Sequence, residues 1–82
     1  MNKKTEKDLK ILFGAHLKKL RLAQGYSMRG FANEADIDYS QVVKIENGAI
    51  SPTLNTLYKI AETLKITLKE LLDFTYPTSV KK

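Results

Sequence analysis

Between Asp38 and Gly48 the chain reads DYSQVVKIENG, and its polar side chains are placed with a period. With Tyr39 at 0° and about 100° per helical residue, Val43 lies near 40°, Asn47 near 80°, Ser40 near 100° and Lys44 near 140°. Two hydroxyls, an amide, an ammonium and one short apolar group thus share a face. Gln41, Val42, Ile45 and Glu46 fall between about 200° and 340°, so the core side is centred on Val42 and Ile45. A face of this kind can donate to and accept from a polar surface laid against it. Val43 is its one apolar member, either half-buried against a neighbouring helix or presented outward with the rest.

No other group of residues offers chemistry of comparable definition. His16 beside Lys18 and Lys19 has no nucleophile or oriented carboxylate with it, so it reads as a solvated or partly packed side chain. Gly14, Gly25, Gly30 and Gly48 do not form a phosphate-cradling loop, and no Walker, Rossmann or metal-ligand spacing occurs. No cysteine is present, which removes disulfides and thiolate metal sites. The expectation is a protein that is not an enzyme, with no catalytic residue, no metal and no cofactor.

Among 82 residues, 43% are hydrophobic and 28% charged, which allows one small domain with a single modest core, helped by self-association. Fourteen Lys and Arg against nine Asp and Glu give +5, and residues 1 to 24 hold seven of the basic and two of the acidic side chains. That excess suits either a polyanionic partner or a merely solvated basic surface; Lys3 and Lys4 read as solubilising. The longest uncharged run, Asn47 to Tyr58, is twelve residues and contains Gly48 and Pro52, too short for a membrane span. The opening MNKKTEKDLK is followed by no long apolar signal core and no small-residue cleavage site, so a cytoplasmic location is expected.

Helix start and stop signals recur every ten to fifteen residues and strand-period alternation is nearly absent, so an all-α fold is expected. Thr5 with Asp8 resembles a capping box ahead of a stripe of Leu9, Phe13, Leu17 and Leu20, flanked by Ile11 and Leu12, that stops at Gly25. Ser27 caps a second helix, Met28 to Ala35, with Phe31, Ala32 and Ala35 inward and Tyr26 packed just before it. Asp38 with Gln41 suggests another capping box, opening a third helix from Tyr39 to about Asn47 that stops at Gly48. Only Asp36 and Ile37 remain between helices 2 and 3, which forces a steep crossing. Ser51 or Thr53 caps helix 4, with Pro52 in its first turn and Leu54, Leu57, Ile60, Ala61 and Leu64 inward. Thr67 and Glu70 form a capping box for helix 5, which carries Leu68, Leu71 and Leu72. The whole reads as one domain over 1–82, with a core of about 6–73 and a short tail, 74–82. In the tail, Phe74, Tyr76 and Val80 either cover the end of the bundle or complete a dimer contact.

These elements carry a resemblance. From about Phe13 to Leu72, and most specifically in Ala32, Ile37, Val42, Ile45, IENG, SPTLNTLYKIAETL and ITLKELL, the chain resembles the phage-repressor-like (Cro and lambda repressor type) helix-turn-helix family. FGAHLKKLR is similar to that family's first helix. The resemblance implies a compact five-helix lambda-repressor-like domain, with helices 2 and 3 as the helix-turn-helix. It also implies a dimer that binds near-palindromic double-stranded DNA and regulates transcription, helix 3 entering the major groove.

Carried over by position, the resemblance makes Tyr39, Ser40, Val43 and Lys44 candidate base readers. The chemistry agrees: hydroxyls donate or accept, Lys44 reaches guanine acceptors or a phosphate, and a short apolar side chain suits the thymine methyl. Ser27, Met28, Arg29, Gln41, Asn47 and Thr53 fall where the family meets the DNA backbone, together with amides at the starts of helices 2 and 4. Arg21 and Glu46 fall where the family has a structural ion pair. The chain departs from the pattern at Asp36 and Lys65, where glycine is usual, and at Met28, where glutamine is frequent; Gly30 further weakens helix 2.

Repression where the site overlaps a promoter, or recruitment of RNA polymerase from upstream, are both compatible with this mechanism. So are a phage-type repressor, a restriction-modification controller, or an antitoxin whose fold neutralises a toxin partner. Binding to anionic membranes through helix 1 is disfavoured because its apolar stripe is needed for the core.

Overall fold

The computed structural model describes residues 3–76, and the regular elements among them are all helices. These are α1 (Lys3–Ala23), α2 (Met28–Ala35), α3 (Tyr39–Glu46), α4 (Leu54–Leu64) and α5 (Leu68–Leu71). The all-α, five-helix expectation holds. Val80, with the rest of the tail beyond Tyr76, lies outside the described residues.

Each helix delivers at least one fully buried side chain to a common core. Leu17 comes from α1, Phe31 from α2, Val42 and Ile45 from α3, Ile60 and Leu64 from α4, and Leu71 from α5. Burying one such side chain contributes about 2 kcal/mol. Tyr26 and Phe31 meet edge to face, with centroids 5.7 Å apart. Leu9, Phe13, Leu17 and Leu20 turn inward or to the core's margin, while Ile11 and Leu12 stay exposed on the flank.

Helix starts follow the capping residues with two exceptions. Ser27 Oγ accepts from the Gly30 amide, Thr53 Oγ1 from that of Thr56, and Thr67 with Glu70 makes the full reciprocal box. The bonds from Thr67 hold the Glu70 carboxyl below the usual carboxylate range, the backbone donor contributing most. This stabilisation is present at neutral pH and is lost as pH falls through that lowered value. Thr5, by contrast, is not a cap: α1 is already formed at Lys3, because Lys and Glu are good helix formers and nothing nearby breaks the turn. Asp38 makes no side-chain cap bond either. The donor such a bond needs, the Gln41 amide, is bonded at 3.0 Å to the main-chain oxygen of Asp38.

Three further expectations are corrected in α4 and α5. Thr53, not Ser51, caps α4, which leaves Pro52 before the helix and outside its first turn. Leu54 is 70% exposed: it sits six residues, about 9 Å of rise, ahead of Ile60 and overhangs the core. Leu72 falls after α5 has ended and is exposed, since the four residues of α5 leave only Leu71 fully covered.

Four helices end in the same hook, in which two successive amides return to carbonyls of the last turn. Gly25 and Tyr26 close α1, Asp36 and Ile37 close α2, Gly48 and Ala49 close α3, and Lys65 and Ile66 close α4. The residue at the bend needs a left-handed backbone. Gly48 supplies it freely, but Asp36 and Lys65 hold φ at 58° with a Cβ in place. At Asp36 the main-chain oxygen also accepts from Lys59 Nζ, 3.2 Å away.

α1 and the end of α3 approach closely at two glycines. A Cβ on Gly14 would stand 2.5 Å from the carbonyl oxygens of both Ile45 and Glu46, and one on Gly48 would stand 2.8 Å from the Cα of Ile11. Only glycine permits this contact. After α5 the chain turns back over α1, where Phe74 stacks on His16 with centroids 4.9 Å apart and tilts against Phe13 at 5.9 Å. His16 therefore belongs to the packing of the tail. Among the described residues no helix is long and apolar enough to cross a membrane.

Two substitutions separate these effects in urea denaturation. Gly14→Ala is expected to cost about 3 kcal/mol or more, because two backbone carbonyls must move. Lys65→Gly is expected to raise stability by about 1 kcal/mol, by relieving the left-handed strain.

Candidate nucleic-acid interface

α3 is held from behind by charge. Arg21 Nε donates to Glu46 Oε2 at 2.7 Å and Nη2 donates to Oε1 at 3.0 Å, while Nη1 donates to the Tyr26 carbonyl at 2.8 Å. The two side chains are 5% and 2% exposed. The carboxylate, through this paired hydrogen bonding, raises the Arg21 pKa above its already high ordinary value, against the opposing effect of burial. One guanidinium thus joins α1, the α1–α2 connection and the last turn of α3. It acts as a strut, remote from the outward face.

On that outward face the wheel's order is reproduced. Val42 and Ile45 are buried, and Ser40, Lys44 and Asn47 are exposed. Tyr39 is 40% exposed, and Val43 and Gln41 are half-buried. Val43 is therefore not a freely projecting side chain: part of it packs on the protein and part faces the same side as Tyr39 and Lys44. The turn leading in is Asp36, Ile37 and Asp38, with Ile37 packed against the core.

Residues assigned to backbone contact are placed less uniformly. Met28 is half-buried and packed against the core, so what it presents at the start of α2 is its amide. Ser27 Oγ spends a lone pair on the Gly30 amide, yet its own proton stays available to an acceptor. Thr53 differs: its hydroxyl accepts from the Thr56 amide and donates to Thr56 Oγ1 at 3.0 Å. A phosphate at α4 would meet first-turn amides before it met that hydroxyl. Asn47 is exposed at the end of α3, and Arg29 is exposed at the front of α2.

Arg29 lies with its Cζ 4.1 Å from the centroid of the Tyr39 ring. Sequence reading placed both residues at the site and missed their contact, since they are ten positions apart and are brought together only by the α2–α3 turn. Among the described residues no group of His, Asp or Glu is arranged to hold a metal ion.

With this geometry in view, comparison with known proteins is specific. The helix-turn-helix family matches residues 17–71. Control protein C.MunI of Mycoplasma sp is 45% identical over 65 residues, covering 78% of this chain and 88% of that protein. Control protein C.BamHI of Bacillus amyloliquefaciens is 32% identical over 69 residues, covering 83% and 85%. Among solved structures, the restriction-modification controller protein C.AhdI from Aeromonas hydrophila superposes with a TM-score of 0.73 at 34% identity, covering 76% of this chain and 94% of that one.

The buried strut makes its own prediction. Arg21→Met and Glu46→Gln should each cost on the order of 3 kcal/mol in denaturant unfolding, because each strands the other partner. The double variant should cost less than the sum of the two; an additive loss would show that the pair does not act as a unit.

Proposed function

Because the chain belongs to the helix-turn-helix family, we propose that it is a sequence-specific double-stranded DNA-binding regulator of transcription, of the restriction-modification controller kind, that works as a homodimer. The observation that carries this reading is the outward face of α3, where Tyr39, Ser40, Val43 and Lys44 stand together on a helix braced from behind by Arg21 and Glu46. The mechanism is occupancy of a site on DNA. α3 lies in the major groove, where Lys44 and the two hydroxyls meet base-edge acceptors and donors and the exposed part of Val43 meets a thymine methyl. Ser27, Arg29, Gln41 and Asn47, with the free amides of α2 and α4, hold phosphates and set the register. Thr53 takes part through the helix end that it caps. The controller reading is supported over the antitoxin reading by the relatives themselves, two of which are control proteins by name and the third a restriction-modification controller protein.

The dimer uses the surface of α4 and the chain after α5. Leu54 and Tyr58, one turn apart on α4, are 70% and 54% exposed, and Leu72 is 41% exposed. Leu72 also borders an open, largely apolar groove of about 180 Å³ whose lining includes Leu9, Phe13, Pro52, Leu57 and Phe74. Exposed apolar side chains in this number on so small a domain support burial by a second copy. Two recognition helices would then reach successive major grooves about 34 Å apart. From such a site the protein either blocks polymerase or recruits it, according to where the site lies.

Three measurements test the reading. Lys44→Ala and Ser40→Ala should each lower discrimination between operator and random duplex by about 1 kcal/mol or more, with thermal unfolding unchanged; equal loss on both duplexes would remove them as readers. Affinity should fall steeply with salt, in proportion to the number of phosphates neutralised, and a flat dependence would contradict the backbone contacts. Leu72→Asp should shift sedimentation from dimer to monomer while the helical content stays constant.

A further inference from the structure

Tyr39 is the first residue of α3, and Arg29 is the second of α2. A side chain at the first position of a helix has no preceding turn to restrict its rotamers, so a tyrosine there would ordinarily swing freely. Here the Arg29 guanidinium covers the ring, with Cζ 4.1 Å from its centroid. Among the described residues Arg29 has no acidic partner competing for it, the salt bridge being that of Arg21 with Glu46. Both side chains remain exposed, so ring edge, hydroxyl and guanidinium edge are all open to a ligand.

We propose that Arg29 is a positioning residue for Tyr39: it fixes the ring at the front of α3 and so couples a backbone contact to base reading. This rests on α3 being the recognition helix. The guanidinium can do both jobs because its face and its edge are chemically distinct. With Cζ 4.1 Å from the ring centroid, the face can lie on the ring while the N–H groups around its edge remain available to a phosphate oxygen. A lysine at the same position would keep the charge but has no planar face to lay on the ring and no fork of donors. Charge and positioning can therefore be separated by a single substitution.

The test uses wild type, Arg29→Lys, Tyr39→Leu and the double variant, each titrated against two duplexes of equal length: the tightest sequence recovered from a randomised pool and a scrambled control. Arg29→Lys is expected to leave the salt dependence unchanged and to lower preference for the selected duplex by roughly two- to fivefold, the worth of an exposed cation–π contact. Tyr39→Leu should lower the preference too, and Arg29→Lys should lower it no further once Tyr39 is gone. In the free protein, the side-chain proton resonances of Arg29 should be shifted upfield by the ring and return to ordinary positions in Tyr39→Leu. Unchanged preference in Arg29→Lys, or losses that multiply in the double variant, would overturn the proposal and leave Arg29 a simple phosphate contact. If Tyr39→Leu leaves the preference intact, the assignment of the front of α3 fails instead, and the Arg29 proposal fails with it.

Discussion

The Arg21 guanidinium and the Glu46 carboxylate sit against each other with almost no access to water, and the outward face of α3 is aimed by that contact. A charged pair in such a place is stable only if the geometry is good, because each group has lost its hydration. Two parallel hydrogen bonds to the carboxylate and a third to the Tyr26 carbonyl meet that requirement. The pair also depends on a close approach that only Gly14 allows, where the last carbonyls of α3 lie against the backbone of α1. Charge and sterics therefore act at the same end of α3. Its other end, where Tyr39 and Ser40 stand, is left free for a partner.

The rest of the molecule is consistent with a stiff platform made from few residues. Short helices leave a large share of their backbone groups unpaired, and the repeated closing hooks and the caps at Ser27, Thr53 and Thr67 pair many of them without further chain. Gln24 Nε2 adds a bond to the Leu64 carbonyl that ties the end of α1 to the end of α4. Part of the apolar surface that this economy leaves uncovered, at Leu54, Tyr58 and Leu72, lies outside α3. Base reading by α3 and pairing with a second copy would therefore fall on different parts of one small core, with the start of α4 bordering both.

Much of this was legible in the residues. In α2, period and capping agree, and both its span, Met28 to Ala35, and its buried trio of Phe31, Ala32 and Ala35 follow from them. The division of α3 between Val42 and its neighbour Val43 followed from wheel angles alone. Local signals failed where a tertiary partner decided the outcome. Asp38 looked like a cap, but a main-chain bond had taken its donor. Leu54 fitted the apolar stripe of α4, but the core does not extend as far as the first turn. Gly14 showed no turn signal, since its role is a contact across 31 and 32 positions with Ile45 and Glu46. The stacking of Arg29 on Tyr39 was invisible for the same reason.

The central claim, that the face of α3 reads base pairs in two copies, is tested most directly by selecting bound duplexes from a randomised pool. The expected result is enrichment of a near-palindromic sequence whose half-sites are separated by about one helical turn, 10 to 10.5 base pairs. Recovery of duplexes with no common sequence, at a salt concentration where binding persists, would contradict it.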